Sequence, residues 1–238
     1  MKIFITGSST GLGALTAKRL LAQGHEVVLH ARNAQRAQAA LEFNPQASHV
    51  VIGDLADAEA VKMMAKQVNQ LGPFDAIIHN AGVYTNDYAQ TLAVNLVAPY
   101  LLTNLITLPK RLIYVSSGMH VGATIDLLTL KKLNYSASKL AILMLAKAVA
   151  QKHPEVIVNS VDPGWVPTRM GGAGADDSLA DGYAGQVWLA SGQDQAALAS
   201  GHYYYHRQLA KYDERVDDPN QRKQLIETLA HQTGVKLK

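Results

Sequence analysis

The sequence predicts one α/β domain, a doubly wound parallel sheet of about seven strands flanked by helices. Short apolar runs bounded by turn residues alternate with longer helical patterns along the first two thirds of the chain. The runs are mostly uninterrupted, which is typical of strands buried on both faces of a parallel sheet. Repeated strand–helix–strand units favour right-handed crossovers and helices on both faces. Because no linker or internal repeat divides the 238 residues, we predict a single domain, 1–238.

The predicted strands leave room for a helix between each pair. They cover residues 2–6, 26–30, 49–52, 75–79, 111–115 and 156–161, with a later strand near 201–205. The predicted helices cover residues 12–23, 34–43, 57–70, 88–106 and 134–152, followed by 180–190 and 220–233. Asp57 stands where a helix N-cap would, and Gly24 and Gly72 follow predicted helices as C-terminal glycines do.

Composition argues against several classes of function. Basic residues are scattered and the formal net charge is only +3, so nucleic acid is not an expected partner. The absence of cysteine excludes thiolate ligands and cysteine nucleophiles, and the nine histidines show no metal-ligand spacing, so we expect no metal site. The longest apolar stretch, 140–146, is far shorter than the ~20 residues that span a bilayer. Since residues 1–9 also lack the pattern of a signal peptide, the sequence predicts a cytoplasmic protein without a membrane partner.

A glycine-rich turn follows the first predicted strand directly. The stretch TGSSTGLG at 6–13 places Gly7, Gly11 and Gly13 between that strand and a helix. Small residues let the backbone approach a pyrophosphate, and the helix N-terminus offers free N–H groups. Ser9, Thr10 and Leu12 complete the predicted phosphate-binding turn of a Rossmann-like fold. The spacing differs from the standard Gly-x-Gly-x-x-Gly, and a purely structural turn is the alternative.

The end of the second strand indicates which dinucleotide binds. An NAD enzyme normally has an acidic residue there for the ribose 2′-hydroxyl, whereas this chain reads LHARN with Arg32 and no acid. A guanidinium pairs well with a 2′-phosphate, so NADP(H) is favoured over NAD(H); a solvated surface arginine is the alternative. After the third strand, Asp54 and Leu55 are expected near the adenine edge, although Asp54 would serve equally well as a turn cap.

Six short motifs occur in a fixed order along nearly the whole chain. They are TGSSTGLG at 6–13, HNAG at 79–82, Asn95, VSSG at 115–118, YSASK at 135–139 and DPG at 162–164. This order resembles that of the short-chain dehydrogenase/reductase family. VDPGWVPTRMGG and SGHYYYHRQ are similar to a bacterial subgroup of that family. Tyr135 comes eighteen positions after Ser117, a long spacing that resembles retinol dehydrogenase-like members, and His79 stands where many relatives have Asn.

Two residues of the fifth motif have a chemical rationale of their own. Tyr135 and Lys139 are four positions apart and would share one face of a helix. A nearby ammonium favours the phenolate and lowers the pKa of a tyrosine from about 10. The resemblance implies that Tyr135 is the general acid/base, and that Lys139 tunes it while binding the nicotinamide ribose.

The resemblance assigns roles to further residues. It implies that Ser117 orients the substrate oxygen, with Ser116 as its rival, and that Asn95 completes a proton relay through water. A cap or kink of the helix is the alternative for Asn95. The resemblance also places Asn80, Ala81 and Gly82 beside the adenosine side of the cofactor, and Pro163, Gly164, Val166 and Thr168 beside the nicotinamide. A structural turn is the alternative for 80–82, and an ordinary loop residue for Thr168.

These observations predict an NADP(H)-dependent oxidoreductase that moves a hydride between nicotinamide and a carbonyl or alcohol carbon of an uncharged small molecule. A catalytically silent NADP-binding sensor or scaffold is the alternative from another class. An epimerase or an enoyl reductase is a third interpretation, which the plain Tyr-x-x-x-Lys arrangement and the short C-terminal region disfavour.

Two further expectations concern surfaces. The segment 168–181 is rich in glycine and lacks apolar periodicity, so we expect a flexible lid over the substrate. Trp165 and Met170 would give the pocket an apolar wall opposite Met119 and His120. The helix at 135–150 is apolar on more than one face, which together with the resemblance predicts a homodimer or homotetramer.

Overall fold

A computed structural model describes residues 1–238 and contains one eight-stranded sheet. The strands are β1 (Lys2–Ile5), β2 (Glu26–Ala31), β3 (His49–Ile52), β4 (Ala76–His79), β5 (Arg111–Val115), β6 (Ile157–Asp162), β7 (Tyr203–Tyr205) and β8 (Gln208–Leu209). Their order across the sheet is β3-β2-β1-β4-β5-β6-β7-β8, and every pair is parallel except β7 with β8. The doubly wound α/β fold is thereby confirmed.

Helices cover both faces of this sheet. They are α1 (Gly11–Ala22), α2 (Ala34–Phe43), α3 (Ala58–Leu71), α4 (Tyr88–Leu92), α5 (Ala98–Leu105), α6 (Tyr135–Lys152), α7 (Leu179–Ser191) and α8 (Pro219–Thr233). Strand β1 sends Phe4 to the core beneath α3, α5 and α6, and sends Ile3 and Ile5 to the core beneath α1 and α7. Both sides of the strand are therefore buried, which explains its uninterrupted apolar sequence.

Two elements differ from the prediction. The sheet has eight strands rather than about seven, because the chain turns back after β7 and pairs two residues, β8, antiparallel to it. His206 makes this turn in the left-handed region, with φ of 54°. The helix predicted at 88–106 is interrupted by a π-helical turn, Ala93–Val97, between α4 and α5. Pro99 has no N–H for the carbonyl of Asn95, four residues earlier, which accounts for the interruption.

The apolar helix α6 is covered on both sides by its own chain. One side packs on the sheet, and the other contacts α8 and the 3₁₀ turn Glu214–Asp217. Leu225 and Leu229 of α8 are fully buried in the same core as α6. The apolar faces that led us to predict a homodimer or homotetramer are thus satisfied within one chain, and self-association through this helix loses its physical reason.

No helix of the chain combines the length and the hydropathy of a membrane span.

Candidate active site

The glycine-rich turn forms a cradle lined by backbone. Gly7 and Gly11 have positive φ values of 63° and 60°, which favour glycine. A Cβ on Gly7 would lie 2.9 Å from Ala81, and one on Gly13 would lie 2.4 Å from the Asn80 amide nitrogen. The N-cap residue of α1, Thr10, makes no side-chain cap hydrogen bond, and the first turn holds no acidic residue. The free N–H groups and positive end of a twelve-residue helix therefore suit a phosphate.

The β4–α4 loop braces this turn. The side-chain amide of Asn80 donates to the carbonyl oxygens of Thr6 at 2.9 Å and Gly7 at 3.2 Å. The backbone N–H of Ala81 donates to the Thr6 hydroxyl at 3.1 Å. The predicted motif at 80–82 thus has a structural role in shaping the cradle, beside the cofactor role implied by the resemblance.

A histidine missed by the sequence analysis also holds the turn. The Gly7 N–H donates to Nδ1 of His30 at 2.8 Å, and Nε2 of His30 lies 2.8 Å from the carbonyl of Gly53. Because Nδ1 accepts, the proton sits on Nε2 and the ring is neutral. Burial lowers the pKa of His30, which favours the same neutral form. The only sequence signal was a polar residue near the end of an apolar strand.

Three residues that the sequence analysis assigned to the cofactor follow the ends of β2 and β3. Arg32 follows the end of β2, is exposed and has no carboxylate within 4.0 Å, so its guanidinium is free to bind an anion. Asn33 caps α2 by accepting from the Arg36 N–H at 3.0 Å. Asp54 accepts from the Ala56 N–H at 2.9 Å, as a turn cap would, and Leu55 is buried.

The predicted acid/base pair stands at the start of α6. Tyr135 is its first residue, and the Lys139 ammonium lies 5.4 Å from the centre of the Tyr135 ring. Burial lowers the pKa of Lys139 to about 8, and its Nζ donates to the carbonyl of Val115 at 2.9 Å. Burial raises the pKa of Tyr135 to about 12, while the neighbouring Ser117 side chain acts in the opposite direction. The expected lowering of the tyrosine pKa by Lys139 is not found: burial dominates, and the opposing effect comes from Ser117.

The two serines after β5 have different partners. The Ser116 hydroxyl is buried and donates to the backbone carbonyl of Lys139 at 2.9 Å, so it joins the strand to α6. The Ser117 hydroxyl accepts from the Met119 N–H at 3.3 Å and is close enough to Tyr135 to lower the pKa of that phenol. This arrangement supports Ser117 over Ser116 as the residue that meets a substrate oxygen.

Asn95 is buried within the π-helical turn. Its side chain accepts from the Val83 N–H at 2.8 Å and donates to the Val83 carbonyl and the Ser138 hydroxyl, both at 3.0 Å. Gly82, which has no side chain, lies between Asn95 and Lys139. A Cβ on Gly82 would lie 3.5 Å from Asn95 Oδ1 and 3.4 Å from Lys139 Nζ. The Asn95 side chain therefore fixes the β4–α4 loop from within the π-helical turn.

The segment after β6 is closed by a pair of hydrogen bonds at its base. The Trp165 N–H donates to the Asp177 carboxylate at 2.6 Å, and the Asp177 N–H donates to the Trp165 carbonyl at 3.0 Å. Inside the loop, the Thr168 hydroxyl accepts from the Gly171 N–H at 3.2 Å, so Thr168 shapes the loop itself. Helix α7 begins at Leu179, so the last residues of the predicted lid, 168–181, belong to the helix.

Val166 lies at the start of this loop and is buried, although the segment around it is exposed. A Cβ on Gly182 would lie 2.7 Å from a Val166 methyl group and 3.3 Å from the carbonyl of Pro163. The first turns of α7 therefore pack directly on the residues that the resemblance places beside the nicotinamide.

The expected pocket wall is only partly formed. Trp165, Met170 and Met119 expose about half of their surface, at 56%, 49% and 50%. His120, by contrast, is fully buried beneath the Ser117 carbonyl, to which Nδ1 donates at 2.7 Å, so it does not line the pocket. An aromatic residue that the sequence analysis missed is Tyr84, whose ring meets the Tyr135 ring edge-on at 5.0 Å and is 62% exposed.

The family model described as short chain dehydrogenase matches residues 1–178. An uncharacterized oxidoreductase from Emericella nidulans is 42% identical over 86% of this chain and 86% of its own. A short-chain dehydrogenase from Penicillium rubens is 33% identical over 99% of this chain and 98% of its own. Human retinol dehydrogenase 13 is 30% identical over 71% of this chain and 60% of its own, in line with the resemblance to such enzymes.

The fold has a solved counterpart of the same extent. The crystal structure of an uncharacterized protein from Mycobacterium paratuberculosis covers 100% of this chain and 94% of its own, with a TM-score of 0.81 and 24% identity. At that identity the likeness concerns the fold, whereas the family match and the full-length relatives concern the sequence itself. Together they show that this chain belongs to the short-chain dehydrogenase family and is an oxidoreductase enzyme.

Proposed function

We propose that the protein is an NADP(H)-dependent carbonyl reductase or alcohol dehydrogenase acting on an uncharged small molecule. The observation that carries this proposal is the position of Tyr135: the Ser117 side chain is close enough to lower the pKa of its phenol, and the buried Lys139 ammonium lies 5.4 Å from the centre of its ring. All three stand at the carboxyl end of β5 or the start of α6, at the edge of the sheet where ligands bind in open α/β folds.

Tyr135 is placed to move a proton. A tyrosine with a pKa of about 12 holds its proton at neutral pH and can donate it to a carbonyl oxygen that is gaining negative charge. The Ser117 hydroxyl orients that oxygen, and the Lys139 ammonium stabilises the charge that the phenol acquires. This sequence of events suits carbonyl reduction; alcohol oxidation would run through the same residues in reverse.

The chain's own groups fit a nicotinamide dinucleotide, which when bound supplies or accepts the hydride. The backbone cradle and the open N-terminus of α1 would hold the pyrophosphate, and Arg32 would hold a 2′-phosphate. The residues that we propose contact the cofactor are Gly7, Ser9, Thr10, Gly11, Leu12, Gly13, Arg32, Asp54, Leu55, Asn80, Ala81, Gly82, Tyr135, Lys139, Pro163, Gly164, Val166 and Thr168.

The surroundings of Tyr135 support an apolar substrate. The exposed side chains of Tyr84, Met119, Trp165 and Met170 stand on loops that follow β4, β5 and β6, three neighbouring parallel strands whose ends share one edge. Contact between these side chains and an apolar ligand would bury apolar surface, which favours binding. None of the four carries a charge that would bind a small acid. A catalytically silent scaffold is disfavoured because the set Asn95, Ser117, Tyr135 and Lys139 is complete.

A spectrophotometric screen tests the proposal. NADPH oxidation at 340 nm would be followed with a panel of aldehydes, ketones and quinones, in parallel with NADH and with the variant Tyr135→Phe as a blank. We expect turnover of apolar carbonyl compounds with NADPH and none by the variant. Tight NADPH binding without turnover of any compound would instead favour the scaffold.

A further inference from the structure

A carboxylate is buried at the end of β6, where the chain enters the substrate loop. Asp162 exposes only 6% of its surface and has no Lys, Arg or His nitrogen within 4.0 Å. A buried charge without a counter-ion is costly unless hydrogen-bond donors surround it. The environment of Asp162 should therefore contain hydrogen-bond donors that compensate its charge.

Three donors from three parts of the fold meet this carboxylate. One oxygen accepts from the Gly118 N–H at 2.6 Å and from the Tyr203 hydroxyl at 3.2 Å. The other accepts from the Gly164 N–H at 2.9 Å. The approach to Gly118 depends on the missing side chain, because a Cβ there would lie 3.1 Å from the carboxylate oxygen.

These contacts join two loops that border the same site. Gly118 directly follows Ser117, and Gly164 opens the loop that contains Trp165. One side chain thus sets the distance between the serine that would orient the substrate oxygen and the loop that would border the nicotinamide. Hydrogen bonds to an ionised acceptor are about twice as strong as neutral ones, which makes the link stiff.

The charge of Asp162 also faces the titratable groups of the site. It affects the pKa values of Tyr135 and Lys139 on α6 and of Tyr203 and Tyr205 on β7, and of these four groups it is hydrogen-bonded to Tyr203. It raises the pKa of Lys139 against the effect of burial, and adds to the burial that raises the pKa of Tyr135. Both effects favour the protonated forms of the two residues at neutral pH.

We propose that Asp162 is a positioning residue, whose carboxylate fixes the Ser117 loop against the Gly164 loop and holds a negative charge near Tyr135 and Lys139. The link between the two loops depends only on the contacts described above. The effect of the charge on the reaction rests on the proposed function, because it concerns the proton held by Tyr135.

The variant Asp162→Asn keeps the shape of the side chain and removes its charge. We expect the amide protons of Gly118 and Gly164, followed by NMR hydrogen exchange, to exchange about tenfold faster or more, while those of β1 stay unchanged. In NADPH-dependent carbonyl reduction, we expect the alkaline limb of the pH profile to move to lower pH by about half a unit to one unit. Glu227→Gln, an exposed carboxylate on α8, should change neither measurement.

A second variant tests the proposal even if Asp162→Asn does not fold. Gly118→Ala leaves the charge in place and pushes the Gly118 N–H away from the carboxylate. It should lower kcat about threefold to tenfold at unchanged NADPH affinity, without moving the alkaline limb. The proposal is overturned if Asp162→Asn has the exchange rates and the pH profile of the wild type. It is also overturned if Gly118→Ala has an unchanged kcat.

The exchange experiment separates this proposal from the proposed function. If the wild-type protein turns over no carbonyl compound but Asp162→Asn still releases the two amides, the proposed function fails and the positioning role stands. If the wild type is active and the amides stay protected in the variant, the positioning role fails alone.

Discussion

The Lys139 ammonium lies 5.4 Å from the centre of the Tyr135 ring but donates its hydrogen bond to the carbonyl of Val115. The lysine is thus anchored to the end of β5 rather than to the phenol. It acts on Tyr135 through its charge, and part of its donor capacity stays available for a ribose hydroxyl.

Replacement of Tyr135 by Phe should abolish turnover and leave NADPH binding nearly intact. The change removes only the hydroxyl, and loss of a general acid costs ~10²–10⁴-fold in kcat. Stopped-flow turnover and fluorescence titration with NADPH would measure the two effects. Tyr84→Phe is the matched control, since its ring lies 5.0 Å away on the same site. A kcat like that of the wild type in Tyr135→Phe would mean that another group donates the proton.

The variant Arg32→Asp should shift cofactor preference toward NAD(H). It replaces an exposed guanidinium that has no carboxylate partner with a charge that repels a 2′-phosphate. We expect the ratio of kcat/KM for NADPH over NADH to fall by about a hundredfold. Arg19→Asp, at the far end of α1, provides the control for net charge. If both variants keep the wild-type ratio, Arg32 is only a surface residue.

The loop 168–177 should become protected when the site is filled. Its base is tied by Trp165 and Asp177, but the hydrogen bonds of its interior join only residues of the loop itself. Closure would exclude water from hydride transfer. Hydrogen exchange read by mass spectrometry would compare the free enzyme with its complex with NADP⁺ and an alcohol product. We expect slower exchange in 168–177 and little change within α7. Equal exchange in both states would show that the loop is not a lid.

In solution, the protein should have the mass of one chain. The face of α6 that suggested self-association is occupied by Leu225 and Leu229 of α8. Light scattering at micromolar concentration measures the mass directly. Leu225→Asp should uncover α6 and cause association or loss of stability, whereas Lys223→Asp on the exposed side of α8 should not. A dimer of the wild-type protein would show that another surface brings subunits together.

Acid should destabilise the protein partly through His79. This ring is buried, stacks on Tyr114 at 4.8 Å, and has its pKa lowered by burial from 6.5 to about 3. Because the folded state favours the neutral ring, this contribution is fully present above pH 6.5 and is lost as pH falls from 6.5 toward 3. Urea unfolding of the wild type and of His79→Phe at several pH values would measure this. The free energy of unfolding should fall less steeply with falling pH in the variant, by up to ~1.4 kcal/mol per pH unit. Parallel pH slopes would contradict the assignment.

Local patterns explain what the sequence could predict. The six main strands, the glycine turn and the Tyr135–Lys139 spacing each depend on residues within a few positions of one another. Pro99 was a visible signal for the break in the helix at 88–106, since it cannot donate to the carbonyl of Asn95. It was missed because the apolar period runs through it without a gap.

What the sequence could not predict depends on contacts between distant segments. The cover of α6 by α8 joins residues about eighty positions apart, and the apolar pattern of α6 is the same whether α8 or a second subunit covers it. His120 and Met119 are neighbours in sequence, yet one is buried under Ser117 and the other exposed. His30 shows the same limit, because only the fold brings it to Gly7.

The bond between Gly7 and His30 has a consequence for affinity. The Gly7 proton is already donated, so the amides that meet a phosphate must come from later in the turn. In return, the turn is preorganised: two strand ends hold its shape before any ligand arrives. Little binding free energy is then lost to ordering the backbone, and phosphate contacts translate more fully into a low Kd.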